Sequence, residues 1–430
     1  RKTLGINSGI TSDKLSIKTS INYVRKIQNA INTGQGNDAG EGNTMMQELL
    51  QIPTDISVVD LQDYTNNPYN TPSNYFTPYA SNPWFVVNEN STKIDGNRLY
   101  GNVNLGYAFN KHFSLSYQAG GDYRSEKIKS YGAVVNFDAN SPQADGGANG
   151  TVGGVTERTD EYVEFDNNLM LNFNSAIGED FNVNAFVGLN TNERKFNQLL
   201  AQITNLDIPN FYELSNSSVK PTVLQNDAMR RNFGVFGSVE ASWKNRIFLT
   251  LTGRNDWTST LAVGNNSYFY PSASLSGVVI ETNNTFLKLR TGYAKIANDS
   301  QGGANLGAYR TASGLTQGNA FLGFGNIILP IAGVNGYEFA GTLGNPALEP
   351  EKVDEFEVGA EGNFFNKRVN FDVSFYDKKS SGLIFTRPLP TSTGFTTLTD
   401  NLIDLTNRGV EVMLNLVPVR TDNWTWDITT

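Results

Sequence analysis

The sequence has no cysteine and only one histidine, His112. That removes disulfides, thiolate nucleophiles, Cys–His dyads and the usual zinc sites. It holds no basic cluster and its formal net charge is −9, so the electrostatic footprint of a nucleic-acid-binding protein is missing. No apolar run of about 18 residues occurs, which excludes a membrane-spanning helix. Hydrophobic residues make up only 39% of the 430 residues, low for a soluble enzyme of this length. Glycine (41), phenylalanine (26) and tyrosine (18) are plentiful instead. Strands that cross a membrane need only about 9–11 residues, half of them apolar, and they keep mean hydropathy low.

Period-two alternation is the dominant pattern, which is the signature of a strand with unlike faces. Roughly fourteen runs carry it: 3–10, 14–24, 98–109, 112–123, 161–173, 180–190, 231–243, 247–256, 268–280, 285–296, 354–364, 368–378, 407–417 and 423–430. In 354–364, Phe356, Val358, Ala360 and Phe364 oppose Glu355, Glu357 and Glu361; in the next run, Val369, Phe371, Val373 and Phe375 oppose Asn370, Asp372 and Ser374. No helical pattern of comparable strength is present.

The connections alternate too. Short ones ("TSD", "NK", "NSAIGE", "KNR", "ETNN", "NK", and a few residues around Pro418) follow every odd-numbered run. Long ones fill 25–97, 124–160, 191–230, 297–353 and 379–406, with a medium one at 257–267. Antiparallel strands crossing a slab, with tight turns on one side and elaborate loops on the other, produce this order. Aromatic residues gather at the short turns: Phe109, Phe113, Phe173, Phe181, Trp243, Phe248, Phe364 and Trp424. Rings at constant depth predict an interfacial girdle; the alternative is aromatics capping a soluble core. The expected fold is all-β, a transmembrane antiparallel β-barrel whose oily face meets lipid. Closure satisfies every backbone group in hydrocarbon and removes the free edges. Glu355, Glu357, Glu361 and Asp372 are then expected to face a wet lumen. Both ends, "RKTLGINSGI" and "WTWDITT", read as mid-strand and no signal-peptide pattern precedes the first run, so the expectation is a segment cut from a longer chain.

Several stretches resemble the SusC/RagA-type TonB-dependent outer-membrane transporters of the Bacteroidetes. "NPALEPEKVDEFEVGAEGNFFNKRVNFDVSFYDKKSSGLI" (345–384) is similar to the family's N-P-x-L-x-P-E…E-x-G segment, and "LIDLTNRGVEVMLNL" (402–416) to its N-x-G-V-E strand. "LTGRNDWTSTL", then "YFYPSASLSGVVIE" and "FLKLRTGYAKIAND", resemble its G-R-x-D-x-S-S, F-P-S-x-S-L and Lys–Leu–Arg stretches in order and spacing. "SNPWFVVNE" (81–89) carries a looser match. The resemblance implies a 22-stranded barrel, of which about 14 strands lie here. It also implies an N-terminal plug domain and TonB box, neither of which is found in this chain. Residues 1–430 therefore read as a segment of one barrel domain, with the long connections extracellular.

The residues offer little chemistry. Beside His112, a strand-face pair such as Glu355 and Glu357 could serve acid–base work, but a solvated wall explains it as well. "ADGGANGTVGGV" (144–155) follows no strand and opens no helix, so it fails as a phosphate cradle. "DANSPQAD" (138–145) has oxygens but no regular calcium spacing. We expect no catalytic residue, no metal site, no cofactor and no enzyme. The segment 64–85 interleaves Tyr64, Tyr69, Tyr75, Tyr79 and Trp84 with asparagine and proline. Aromatic faces beside amides suit sugars or peptides; the alternative is loop-on-loop packing. The apolar "FLGFGNIILPIAGV" (321–334) is expected to pack against the barrel interior or a partner. The resemblance implies import of oligomeric nutrients, glycans or peptides. It also implies energy from TonB–ExbB–ExbD through the plug, a SusD-like surface lipoprotein as a lid, and a home in the outer membrane of a Bacteroidetes-like Gram-negative cell. A passive porin or structural barrel, and a soluble all-β adhesin or lectin, are the alternative readings.

Overall fold

The structure is a computed structural model and describes residues 1–30, 45–77, 80–146, 150–299, 319–320, 326–327 and 341–430. Fourteen long strands carry the architecture: β1 (Lys2–Thr11), β2 (Leu15–Ala30), β3 (Ser91–Ala108), β4 (Phe113–Val135), β5 (Thr151–Ile177), β6 (Phe181–Thr204), β7 (Thr222–Trp243), β8 (Ile247–Thr258), β9 (Ser267–Glu281), β10 (Phe286–Asn298), β14 (Glu351–Phe364), β15 (Val369–Pro388), β16 (Thr397–Arg420) and β17 (Thr425–Thr429). Three two-residue strands, β11 (Asn319–Ala320), β12 (Asn326–Ile327) and β13 (Thr342–Leu343), lie between β10 and β14. The long strands pair antiparallel with their sequence neighbours in one 15-stranded sheet that also takes in β13, which joins β16 in parallel. Each of the fourteen alternating runs coincides with one long strand.

The register sorts the side chains into two faces. Leu105 pairs with Ile17 and Tyr117, and Leu171 with Leu115 and Val187. Val239 pairs with Ala185 and Leu251, and Val358 with Thr291 and Phe375. One face is thus apolar from β1 to β16. Its side chains stay exposed: Leu4, Val187, Leu251 and Val410 are all more than two-fifths accessible. The buried hydrophobic residues number only eleven among the described residues, and most sit in the loops or at the loop ends of strands. A contiguous apolar face of this size is sustainable only against lipid.

Two aromatic rings bound the face. Phe109, Phe113, Phe173, Phe181, Trp243 and Phe364 form the ring at the short turns. Phe248 does not join it: it pairs with Ser242 and Ser276 on the polar face, and Ile247 takes the outward place. A one-residue step in a strand reverses the face. A second ring, unforeseen in the sequence, lies toward the long connections: Tyr23, Tyr123, Phe165, Phe233, Trp257, Tyr293, Phe356 and Phe375, all exposed. About ten residues separate the rings, which at ~3.4 Å per residue and ~45° tilt is roughly 24 Å, close to the ~25 Å apolar band of an outer-membrane barrel.

The strands run well past that band. β4, β5 and β6 have 23, 27 and 24 residues, so much of 124–160 and 191–230 is strand rather than loop. Beyond the bilayer both faces are wet, so backbone pairing persists while the alternation that marks it disappears. Two turns also differ from expectation. β5 continues through Ile177, and Gly178 turns the chain at φ +66°. Pro418 lies inside β16 at a register break between Leu416 and Val419, where its missing N–H costs no ladder bond; the turn itself is 421–424. Between β7 and β8, Lys244 and Asn245 take φ of 52° and 53°, and Arg246 N–H donates to Trp243 O at 2.9 Å. That tight hairpin matches the strand twist.

Residues 45–90 build a small unit on the long-connection side. Helix α1 (Met45–Leu50) and α2 (Pro83–Glu89) flank a core of Leu61, Tyr75 and Ala80, packed by Ile52, Ile56 and Trp84. Asn82 caps α2, accepting from Trp84 N–H at 2.9 Å, with Pro83 at the first helical position. Fully buried, it also donates to Leu61 O at 2.8 Å and Asn70 O at 3.1 Å. The "SNPW" stretch was thus a helix start. The short helix α3 (Pro142–Asp145) docks on this unit, with Gln143 Nε2 donating to Tyr75 O at 3.1 Å. The apolar stretch 321–334 lies outside the described residues except for Asn326–Ile327.

Candidate functional site

The polar face of the sheet carries a ladder of charge. Arg290 of β10 is its centre. It donates to Asp372 at 2.6 and 3.1 Å and to Glu357 at 3.3 Å, and stands 3.8 Å from Glu361. Lys288 reaches Glu361 at 3.0 Å, and Lys378 lies 3.8 Å from Glu355. The four carboxylates singled out in the sequence therefore share one face, as their spacing requires, and each has a cation beside it. Two of the cations were legible in "FLKLRTGY", where Lys288 and Arg290 hold the same period-two phase. Only the pairing of β10 with β14, across the 299–350 connection, shows that they meet these acids.

A second node explains the "GRND" stretch. Arg254 and Asp256 of β8 form a 2.7 Å ion pair, with Asp256 almost fully buried. Arg254 also donates to Asn190 at 3.1 Å and lies 5.2 Å over the Phe236 ring; Tyr270 OH donates to Asp256. A Cβ on Gly234 would come within 2.3 Å of Asp256 Oδ1 and 2.5 Å of Arg254 Nη2, so the pair fits only because position 234 is glycine. Further along the face, Arg98 grips Asp122 and Arg194 donates to Glu164 at 2.9 Å. This node lies across four strands that no sequence periodicity links. A wall with hydrogen-bonding groups of both signs can hold hydrated polar ligands without committing to one charge.

The loop aromatics divide. Tyr75 is buried at the centre of the 45–90 core. Tyr64 donates to Glu89 at 2.8 Å; desolvation, then that bond, pushes its hydroxyl up to about 12. Trp84 Nε1 donates to Val58 O at 2.7 Å. Tyr69 alone of the described four projects outward, 80% exposed, and Tyr79 lies outside the described residues. His112 Nδ1 sits 3.0 Å from Asn174 O beside the Phe173 ring, a turn-edge contact. Among the described residues no group of three or more His, Asp or Glu is placed to hold a metal.

Glu48 of α1 is buried within the same unit. Burial pushes its carboxyl up to about 7, against the opposing pull of the Ser81 N–H. The folded unit therefore holds the proton more tightly than the unfolded chain. Its stability is fully present below the ordinary carboxylate range, ~4.3, and declines as pH rises toward 7. Proteolysis of residues 45–90 is expected to accelerate across that window, and Glu48→Gln to flatten the dependence. An unchanged pH profile in the variant would show that another group governs it.

The family comparison decides the architecture's identity. Residues 49–430 match the family model described as TonB dependent receptor-like, beta-barrel. The chain belongs to the TonB-dependent receptor β-barrel family. It is an outer-membrane protein. It is 30% identical over 295 residues to a TonB-dependent receptor of Formosa agariphila, covering 65% of this chain and 28% of that one. It is 25% identical over 393 residues to TonB-dependent receptor SusC of Bacteroides thetaiotaomicron, covering 85% of this chain and 34% of that one. The fold is similar to that of the RagAB peptide transporter, at TM-score 0.75, 17% identity, and coverage of 99% of this chain and 45% of the other. The chain thus spans about a third or less of the curated relatives' length. The SusC/RagA resemblance read from the sequence holds.

Proposed function

We propose that this chain is the wall of an active importer of oligomeric nutrients, glycans or peptides, working with TonB and with a SusD-like surface lipoprotein on its loops. The observation that carries the reading is the polar wall that holds the Arg290 and Arg254 nodes, on the sheet face opposite the lipid band. Such a wall keeps a lumen wet and gives a passing ligand many weak, exchangeable hydrogen bonds. The likeness in fold to RagAB, a peptide transporter, supports the peptide class, and the glycan class rests on the sequence resemblance to SusC/RagA-type transporters. The side chains bind and release; no covalent step is required. The described parts of the long connections then lie on the extracellular side, with Tyr69 at the ligand or lid surface.

Uptake of labelled oligopeptides and oligosaccharides by cells making the whole protein tests this. Import is expected to stop when TonB is deleted or the proton-motive force is collapsed. Uptake that survives both treatments would make the barrel a passive pore. Tyr69→Ala is expected to weaken half-saturation roughly 2–10-fold, the worth of one aromatic contact, without altering protease resistance of the 45–90 unit. No change in half-saturation would remove Tyr69 from the ligand surface.

A further inference from the structure

A cavity of about 610 Å³ opens on the apolar, outward side of the sheet, across β5 to β8. Its floor is the second aromatic ring, with Phe165, Phe233 and Trp257 among its lining, and Phe233 and Trp257 are 5.4 Å apart. Register sets the next row: Glu193 pairs with Phe165 on one side and with Arg231 on the other. Arg231 donates to Glu193 through Nε at 2.6 Å and its side chain remains 61% exposed. Lys195, one outward place higher on β6, holds the same carboxylate at 2.8 Å. Two cations thus share one acid. The other ion pairs at this height, Arg25–Asp95, Lys295–Asp354 and Arg408–Asp377, are one to one.

We infer that this groove is a binding site for a membrane lipid with a phosphorylated headgroup, in the leaflet on the long-connection side. Its height selects the occupant. Leu189 and Val235 lie directly below in the lipid band, while charge begins directly above, so the groove straddles hydrocarbon and headgroup. Acyl chains lie against the rings, and Trp257 sits at the depth where indoles prefer the interface. The net positive trio faces the phosphate. Guanidinium suits phosphate oxygens through its fork of donors, and Arg231 spends only Nε on Glu193 among the contacts described. The site is independent of substrate passage, since it is on the opposite face from Arg290 and Arg254.

Native mass spectrometry of the whole protein, released from phosphatidylcholine nanodiscs containing phosphatidylglycerol, provides the test. An anionic headgroup gains roughly fivefold from each nearby cation. Arg231→Ala with Lys195→Ala is therefore expected to cut phosphatidylglycerol retention at least tenfold and leave phosphatidylcholine retention unchanged. Glu193→Gln, which keeps size and removes the competing charge, is expected to raise it. The inference is overturned if neither variant changes phosphatidylglycerol retention, or if both lipids fall together, which would mean apolar cover alone. Displacement of the lipid by inorganic phosphate would also overturn it, since the site would then take the free anion.

Discussion

Leu251→Arg is expected to destabilise the protein by about 2–4 kcal/mol, whereas Thr250→Arg, one residue away, costs less than about 1 kcal/mol. Leu251 lies midway along β8 between the two aromatic rings and pairs with Val239 and Ala273. An arginine there must leave its guanidinium in hydrocarbon or thin the bilayer around it. Thr250 pairs with Glu240 and Ser274 on the polar face, where a guanidinium finds a carboxylate and water. Urea unfolding in lipid vesicles, followed by the loss of the barrel's fast-running unheated gel band, measures both. Equal costs would mean that the two faces have been assigned wrongly.

Tyr75→Ala carries the second large effect, about 3–5 kcal/mol within the 45–90 unit. The ring is 1% exposed and touches Leu61, Ala80 and Phe76, with ring centroids 4.4 Å apart for the aromatic pair. A unit this small has few other buried side chains, so the cavity is expected to open it locally. The strands do not depend on it, since their pairing is complete without these residues. Limited proteolysis should therefore cut within 45–90 in the variant while the barrel's heat-dependent gel shift stays intact. A lost gel shift would show that the loop unit holds the wall together. Resistance to protease in the variant would place Tyr75 outside the core.

The sequence by itself determined every long strand, the turn side and loop side, and the faces of Glu357, Asp372, Phe371 and their neighbours. All of these follow from period-two alternation, which is local and is imposed wherever one face meets lipid and the other water. It could not mark the strand extensions beyond the second ring, because with water on both faces no alternation is selected. It misplaced Phe248 by one face, because composition near a turn carries no phase. It could not divide Tyr75 from Tyr69, since burial of a loop side chain depends on what packs over it. Tertiary structure alone decided the Arg290 and Arg254 nodes and the outward groove at Arg231. Each unites strands whose neighbours are set by sheet register, and register brings together residues that stand 38 to 82 positions apart in the chain.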